Sequence, residues 1–242
     1  MEEIIATAGF LELGQKEPVS NEEMKRIEDA GARIGISKSL MMENAGSSIA
    51  RFIFQNIDNM RSHIDSKVLK VLIVAGTGNN GGDAFVAARH LAYWRNNFDI
   101  SVVLVGLSEE IKTENAKSNF QILNRIPDIE VVQISGESKM NEFAALLSDA
   151  DVVVGAIFGT GFKGEARVLQ KRVIELINKN SKAIKISVDV PSGLESDTGN
   201  SILAFQSDFT ITMYAPKSGM LSNSSAKTLC GRILISNIGV PS

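Results

Sequence analysis

A single cysteine, Cys230, stands in a chain of 242 residues, so no internal disulfide framework is available. The two histidines, His63 and His90, lie far apart and do not make the clustered spacing of a zinc site. Charge of one sign is also missing: 25 Lys and Arg against 28 Asp and Glu leave a formal net charge of -3. That balance lacks the basic excess on which a nucleic-acid partner draws. No apolar run approaches the roughly 20 residues of a membrane-spanning helix, so no membrane partner is expected. The opening MEEIIATAGF has no basic stretch ahead of an apolar one and no Arg-rich composition. A leader is therefore not expected, and the cytoplasm is the expected compartment. Low-complexity stretches, tandem repeats and Pro/Ser-rich linkers are absent as well, which predicts one domain over 1–242 with 1–17 as an N-terminal extension. At 44% hydrophobic residues the chain can bury a large core.

What the chain does have is KVLIVAGTGNNGGDAFVAARHLAYW at 70–94, an apolar β run whose Gly/Asn loop opens into an amphipathic helix. α/β proteins use this arrangement to hold a polar ligand at the end of a sheet. Gly76, Gly78 and Gly81 spell G-x-G-x-x-G, yet two details argue against an ordinary dinucleotide fingerprint. Asp83 follows where a pyrophosphate would sit and would repel it. The next strand, 100–105, runs into Gly106-Leu107-Ser108, without the acid that binds a ribose.

Elsewhere the hydrophobic pattern alternates between periods. Helices are expected at 21–34, with Ser20 as N-cap, and at 37–56, where Leu40, Met41, Ala45, Ile49, Phe52 and Ile53 recur at helical spacing. Strands then alternate with helices: strand 70–75, helix 83–96, strand 100–105, helix 112–125, strand 130–133, helix 138–148, strand 151–158, helix 165–179 and strand 184–190. Strands at 207–213 and 232–236 should extend one edge. The pattern predicts an α/β fold, a Rossmann-like three-layer α/β/α sandwich with a mainly parallel sheet and two N-terminal helices. The apolar stripe of the second helix is read as core first, with a homodimer interface as the alternative.

Ligands in such folds bind at the C-terminal strand ends, and three loops there carry chemistry. In the first, Asn79, Asn80 and Asp83 supply oxygens, while Gly81 and Gly82 leave room for a close backbone approach; a tight capped turn is the plainer alternative. In the second, Gly159-Thr160-Gly161-Phe162-Lys163-Gly164-Glu165, backbone N–H groups and Lys163 can cradle a phosphate, with a merely structural Gly-rich turn as the alternative. No G-x-x-x-x-G-K-[ST] is present, so a P-loop ATPase is not supported. The third, Val188-Asp189-Val190-Pro191-Ser192-Gly193, ends an apolar strand in a carboxylate, and Pro191 fixes the chain as it leaves the sheet. Asp189 is either a proton-transfer group or a structural acid that bonds the turn. The following Glu195-Ser196-Asp197-Thr198-Gly199 reads mainly as a surface turn, with reach into the site as the open alternative.

GTGNNGGDAFVAARHL, AIFGTGFKG, VDVPSGLESDTG, SDFTITMYAPKSGML and GRILISNIGVP occur in the order seen in the YjeF N-terminal domain family, the NAD(P)HX epimerases. VSNEEMKRIEDAG and SLMMENAG also resemble that family's first two helices, so the resemblance spans roughly residues 18–241. It implies interconversion of the S and R epimers of hydrated NADH and NADPH (NADHX and NADPHX) at C6 of the damaged nicotinamide ring. It also implies a potassium ion in the site and an ADP- or ATP-dependent hydrate dehydratase as functional partner. The chain ends where the epimerase domain ends, so the dehydratase is expected on a separate protein, unless the chain is a fragment.

By the resemblance, Asn79 to Asp83 form the substrate-binding loop and Asn80 is also a potassium ligand. Gly159 to Glu165 form the second substrate-contacting loop, Asp189 is the essential substrate-contacting acid, and Ser192 is a further potassium ligand. Many family members place an Asp ligand four residues before the second loop; this chain has Gly155 there, which implies weak ion binding. Epimerisation at C6 can proceed by loss of water or by ring opening, with Asp189 handling the proton. Two other readings remain: a different Rossmann-like nucleotide enzyme, such as a dehydrogenase or methyltransferase, and a non-catalytic scaffold or protein-binding module built on the same fold.

Overall fold

The structure is a computed structural model that describes residues 7–61, 67–180 and 182–241. The N-terminal part runs through β1 (Leu11–Glu12), α1 (Asn21–Arg33), α2 (Lys38–Gln55) and α3 (Ile57–Arg61). The alternating part follows as β2 (Leu69–Ala75), α4 (Asn79–Ala92), β3 (Phe98–Val105), α5 (Glu114–Leu123), β4 (Ile129–Ile134), α6 (Met140–Asp149), β5 (Val152–Ala156), α7 (Val168–Lys179) and β6 (Ile184–Val188). The chain closes with β7 (Phe209–Met213), the short α8 (Ser218–Leu221) and α9 (Ser224–Cys230), and β8 (Arg232–Ser236).

Among the described residues the strands form one sheet in the order β1-β8-β7-β6-β5-β2-β3-β4. Every pairing is parallel except β1 with β8. Helices cover both faces, which is why the inner strands read as continuous apolar runs. On β5, Val152, Val154 and Ala156 join the core beneath α2 and α4, while Val153 faces the core beneath α6 and α7. Progression along the sheet reverses between β2 and β5. That reversal leaves a crevice at their C-terminal ends, the place where such sheets bind ligands.

The boundaries differ from expectation where site chemistry intervenes. The helix expected at 83–96 starts at Asn79, so the Asn/Gly/Asp segment is its first turn and no free loop. The strand expected to reach residue 190 stops at Val188, because the backbone turns sharply at Asp189. The helix expected from residue 165 begins at Val168, which lengthens the loop after β5.

The expected extension at 1–17 also takes part in the fold. Phe10 is buried edge-on against Phe52, with ring centroids 5.9 Å apart, and Leu11–Glu12 pairs with β8. Residues 1–6 of that extension lie outside the described residues. Met41, Ala45, Ile49, Phe52 and Ile53 of α2 enter the core, whereas Leu40 of the same expected stripe is exposed. A Cβ at Gly46 would sit 2.4 Å from Val86 Cβ, so α2 crosses α4 closely only because the residue is glycine. That contact brings the N-terminal helices over the crevice.

Candidate active site

The C-terminal ends of β2, β5 and β6 open into a cavity of about 880 Å³. Its walls carry Asn79, Asn80 and Asp83 from α4, Gly159 to Lys163 and Glu165 from the second loop, and Asp189 and Lys217 beyond β6 and β7. α1 and α2 add Glu28 and Lys38. The structure thus gathers most residues singled out in the sequence, while Gly81, Gly82, Gly155 and Ser192 are buried outside the lining and Gly164 is exposed beside it.

The floor is the most constrained part. Asp189 has φ 63°, and the Val190 N–H donates to the Val188 carbonyl at 2.8 Å, an i to i+2 bond that makes Asp189 the centre of a γ-turn. Tyr214 has φ 67°, and the Ala215 N–H donates to the Met213 carbonyl at 2.8 Å in the same way. Gamma-turns with positive φ are rare and strained, and such strain concentrates at functional sites. Between the two turns lies Lys217, fully buried, with Nζ ion-paired to Asp189 Oδ1. The same ammonium donates to Thr212 Oγ1 at 3.0 Å and to the Met213 carbonyl at 2.9 Å. Asp189 Oδ1 also accepts from the Met213 N–H at 3.2 Å and Thr212 Oγ1 at 3.3 Å. All these donors converge on Oδ1, which leaves Oδ2 for a ligand.

Two further carboxyls share this space. Burial, reinforced by the Asp189 and Glu28 carboxylates, pushes Asp83 well above the usual carboxylate range, against a smaller opposing pull from Lys217. Burial likewise raises Glu28, opposed chiefly by Lys38. The surroundings of Asp83 thus disfavour the negative charge expected from its position in the sequence. Glu28 is brought here by a backbone strap: the Val19 N–H donates to the Pro216 carbonyl and the Ser218 N–H to the Val19 carbonyl, at 2.9 and 3.0 Å. This lays the start of α1 beside Lys217.

The first turn of α4 is held by its own side chains. Asn79 Oδ1 accepts from Thr113 Oγ1 at 2.7 Å, and Asn80 Nδ2 donates to the Phe158 carbonyl at 2.8 Å. Asn80 Oδ1 is buried with no hydrogen-bond partner among the described residues. The glycines do a different task from the one expected. A Cβ at Gly81 would lie 2.0 Å from the Gly76 carbonyl oxygen, and one at Gly82 2.6 Å from Met42, so both are demanded by the chain's own packing.

The second loop is stapled from outside. The Thr160 carbonyl accepts from Asn21 Nδ2 and from Ser196 Oγ, each at 3.1 Å, and Asp197 accepts from the Asn21 backbone and side chain at 2.7 and 2.9 Å. Glu195 accepts from the Gly164 N–H at 2.8 Å, a bond that with Thr198 lowers its pKa. The segment read as a surface turn therefore clamps the loop, a role its composition did not reveal because the partners are more than 30 residues away. Phe162 stacks on Phe158 at 4.7 Å, and Lys163 is exposed at the rim.

Ser192 hooks the same loop to β6: its Oγ accepts the Ile157 and Phe158 N–H groups at 3.1 and 3.0 Å and donates to the Phe158 carbonyl. A Cβ at Gly155 would lie 2.6 Å from the Phe205 ring, so that position faces a filled apolar core and lines no polar site. Among the described residues no group of three or more His, Cys, Asp and Glu is placed to hold a metal. Cys230 is buried, and burial pushes its thiol up to about 12, which excludes it as a nucleophile.

Lys217, Glu28 and Asn21 were not singled out in the sequence. Lys217 lies in YAPKSG, a stretch that entered only as part of the family resemblance with no role given to its lysine, and an isolated lysine ordinarily marks solvent exposure.

Comparison with known proteins gives concordant matches. The family model for YjeF-related protein N-terminus matches residues 38–219. An NAD(P)H-hydrate epimerase of Cenarchaeum symbiosum is 38% identical over 92% of this chain and 95% of its own length. Its counterpart in Nitrosopumilus maritimus is 36% identical over the same shares. The bifunctional NAD(P)H-hydrate repair enzyme Nnr of Methanothermobacter thermautotrophicus is 37% identical over 90% of this chain but only 40% of its own length. The crystal structure of the yeast protein ynu0 aligns with TM-score 0.72 at 27% identity, over 84% of this chain and 83% of that one.

Proposed function

The chain belongs to the YjeF-related N-terminal family, and from that membership we propose that it is an isomerase interconverting the S and R epimers of hydrated NADH and NADPH. The observation that carries the reading is Asp189, held in a strained turn by buried Lys217 with one carboxylate oxygen left for a ligand at the floor of the cavity. Spending strain and a buried charge pair on one side chain is characteristic of a reacting group.

The substrate carries a hydroxyl on C6 of its reduced ring, beside the ring nitrogen. Inverting that carbon requires breaking and remaking a bond to it, and positive charge develops on the ring if the hydroxyl departs as water. The fixed Asp189 carboxylate stabilises such charge, and Lys217 holds the carboxylate in place without occupying Oδ2. The Phe158–Phe162 stack offers an apolar wall, and Lys163 with the N–H groups of its loop suits the dinucleotide's phosphates.

A potassium ion fits these residues only loosely. Asn80 Oδ1 is the kind of buried, unpartnered oxygen that a monovalent cation satisfies, and main-chain carbonyls lie nearby. Ser192 already has three partners, and Gly155 has no carboxylate and no room for one. When bound, the ion would add positive charge beside the first turn of α4; we therefore propose weak binding. A hydrate dehydratase is the proposed functional partner, in keeping with the bifunctional relatives, and the cytoplasm the proposed compartment.

The test is direct. Purified protein is given isolated S or R epimer of NADHX or NADPHX, and the two forms are separated by chromatography over time. Approach to one equilibrium mixture from either side is expected. Absence of catalysed interconversion for both nucleotides would overturn the proposal.

A further inference from the structure

The cavity holds a carboxyl group whose surroundings differ from those of Asp189. Asp83 lies on the first turns of α4 and opens on the same cavity. Asp189 Oδ1 collects the Lys217 ammonium, a hydroxyl and a backbone N–H, but no side-chain hydrogen bond from a described residue reaches the Asp83 carboxyl. Charge around it is unbalanced. It faces Asp189 from the end of β6 and Glu28 from α1, while Lys217 is already paired and Lys38 of α2 offsets Glu28. Three carboxyls thus share one buried ammonium that is committed elsewhere. The least costly state leaves Asp83 neutral, as a carboxylic acid able to donate.

We propose that Asp83 is the catalytic acid of the epimerisation, donating its proton to the departing C6 hydroxyl; this rests on the epimerase reading above. In the step, the Asp83 proton moves to the hydroxyl oxygen and the C6–O bond breaks with its electron pair leaving on water. The ring-nitrogen lone pair forms the N1=C6 double bond. Water then adds to C6 with one of its own pairs, the double-bond pair returns to nitrogen, and the proton shed by the water returns to Asp83. Addition to the face that was vacated restores the starting epimer, and addition to the other face gives its partner. Asp189 keeps its charge throughout and offsets that of the ring. Two carboxyls in one site, one neutral donor and one anion, is a division of labour set by environment alone.

Asp83→Asn separates this role from a structural one. An amide is close in size to a neutral carboxylic acid and still donates a hydrogen bond, so the variant should fold and keep its KM within a few-fold. Its kcat should fall about 100-fold or more. The unaltered enzyme should lose kcat as pH rises and Asp83 gives up its proton, and that alkaline limb should vanish from the residual rate of the variant. A second readout needs no substrate. The folded protein retains the Asp83 proton to higher pH than the unfolded chain does, so its stability declines as pH rises above the ordinary carboxylate range. Asp83→Asn lacks that loss, and its urea midpoint should gain on the unaltered protein's as pH increases.

A variant with kcat within a few-fold of the unaltered enzyme, or with an unchanged alkaline limb, would overturn the assignment. So would a midpoint difference that is flat or runs the other way with pH. If the variant cannot be purified, a kcat of the unaltered enzyme that stays constant into alkaline pH overturns it equally. If the unaltered protein interconverts no epimers, the proposed function fails, whereas the midpoint comparison still reports whether Asp83 is neutral.

Discussion

At the floor of the cavity, Asp189 and Lys217 are buried, paired and held between two strained turns; at its rim, Lys163 stands in solvent on a loop bounded by glycines. The two regions face one ligand space, yet they control their charges differently. The floor takes its geometry from β6 and β7, whose pleat and register leave a side chain little freedom. The rim is set by side chains arriving from far along the chain: Asn21, Ser196, Asp197 and Glu195 fix its backbone and leave its lysine exposed. Orientation at a reacting carbon demands the first kind of construction, because small displacements there cost rate. Attraction of phosphates tolerates the second.

The sharpest way to break the contrast is to remove the buried cation. Lys217→Met keeps the length of the side chain but leaves Asp189 without its counter-ion, and a loss of about 3–5 kcal/mol is expected in denaturant unfolding. A loss no larger than that of an exposed lysine would mean that the floor does not depend on the pair. Asp189→Asn is next. Asn tolerates positive φ, and Lys217 keeps Thr212 and the Met213 carbonyl as acceptors, so the fold should survive with a smaller stability loss. Turnover should drop about 100-fold, or ~2.7 kcal/mol. Near-normal turnover with isolated epimers would return Asp189 to a structural role.

Gly155→Asp probes the layer behind the floor. Because Phe205 fills the space, the added side chain should overpack the core and cost about 1–3 kcal/mol in thermal or urea unfolding. It should not lower the potassium concentration needed for half-maximal activity, titrated against choline at constant ionic strength. Improved potassium response without loss of stability would show that Phe205 yields and that the position is a ligand site after all. The smallest effect belongs to the rim. Lys163→Ala should weaken substrate binding by about 1 kcal/mol at low salt and by less as salt is added. A defect unchanged by salt would place Lys163 in a desolvated contact, on the floor's terms.

The α/β alternation and the order of the loops were legible because both rest on local pattern: short continuous apolar runs, amphipathic runs of period 3.6, and glycines at strand ends. Asp189 stood out for the same reason, as a charge closing an apolar strand. Boundaries shifted where loop-forming residues joined a regular element, as when Asn79 and Asn80 became the first turn of a helix. Lys217 and Glu28 were not visible, since nothing in YAPKSG or KRIEDAG marks a residue that will meet a partner from another layer.

The sequence by itself determined the fold class and the three loops at the C-terminal strand ends, because hydrophobic period and turn chemistry act between near neighbours, and its ordered motifs carried the resemblance to the family. Only the tertiary structure decided which charged groups face one another and where a ligand has room. Asp83 looked like a repelling anion, whereas the tertiary structure sets it beside two other acids, where charge on it is disfavoured. Gly155 looked like a missing ligand until Phe205 filled its place. Both outcomes depend on which distant groups exclude water from the same few ångströms, and that is a property of packing in three dimensions.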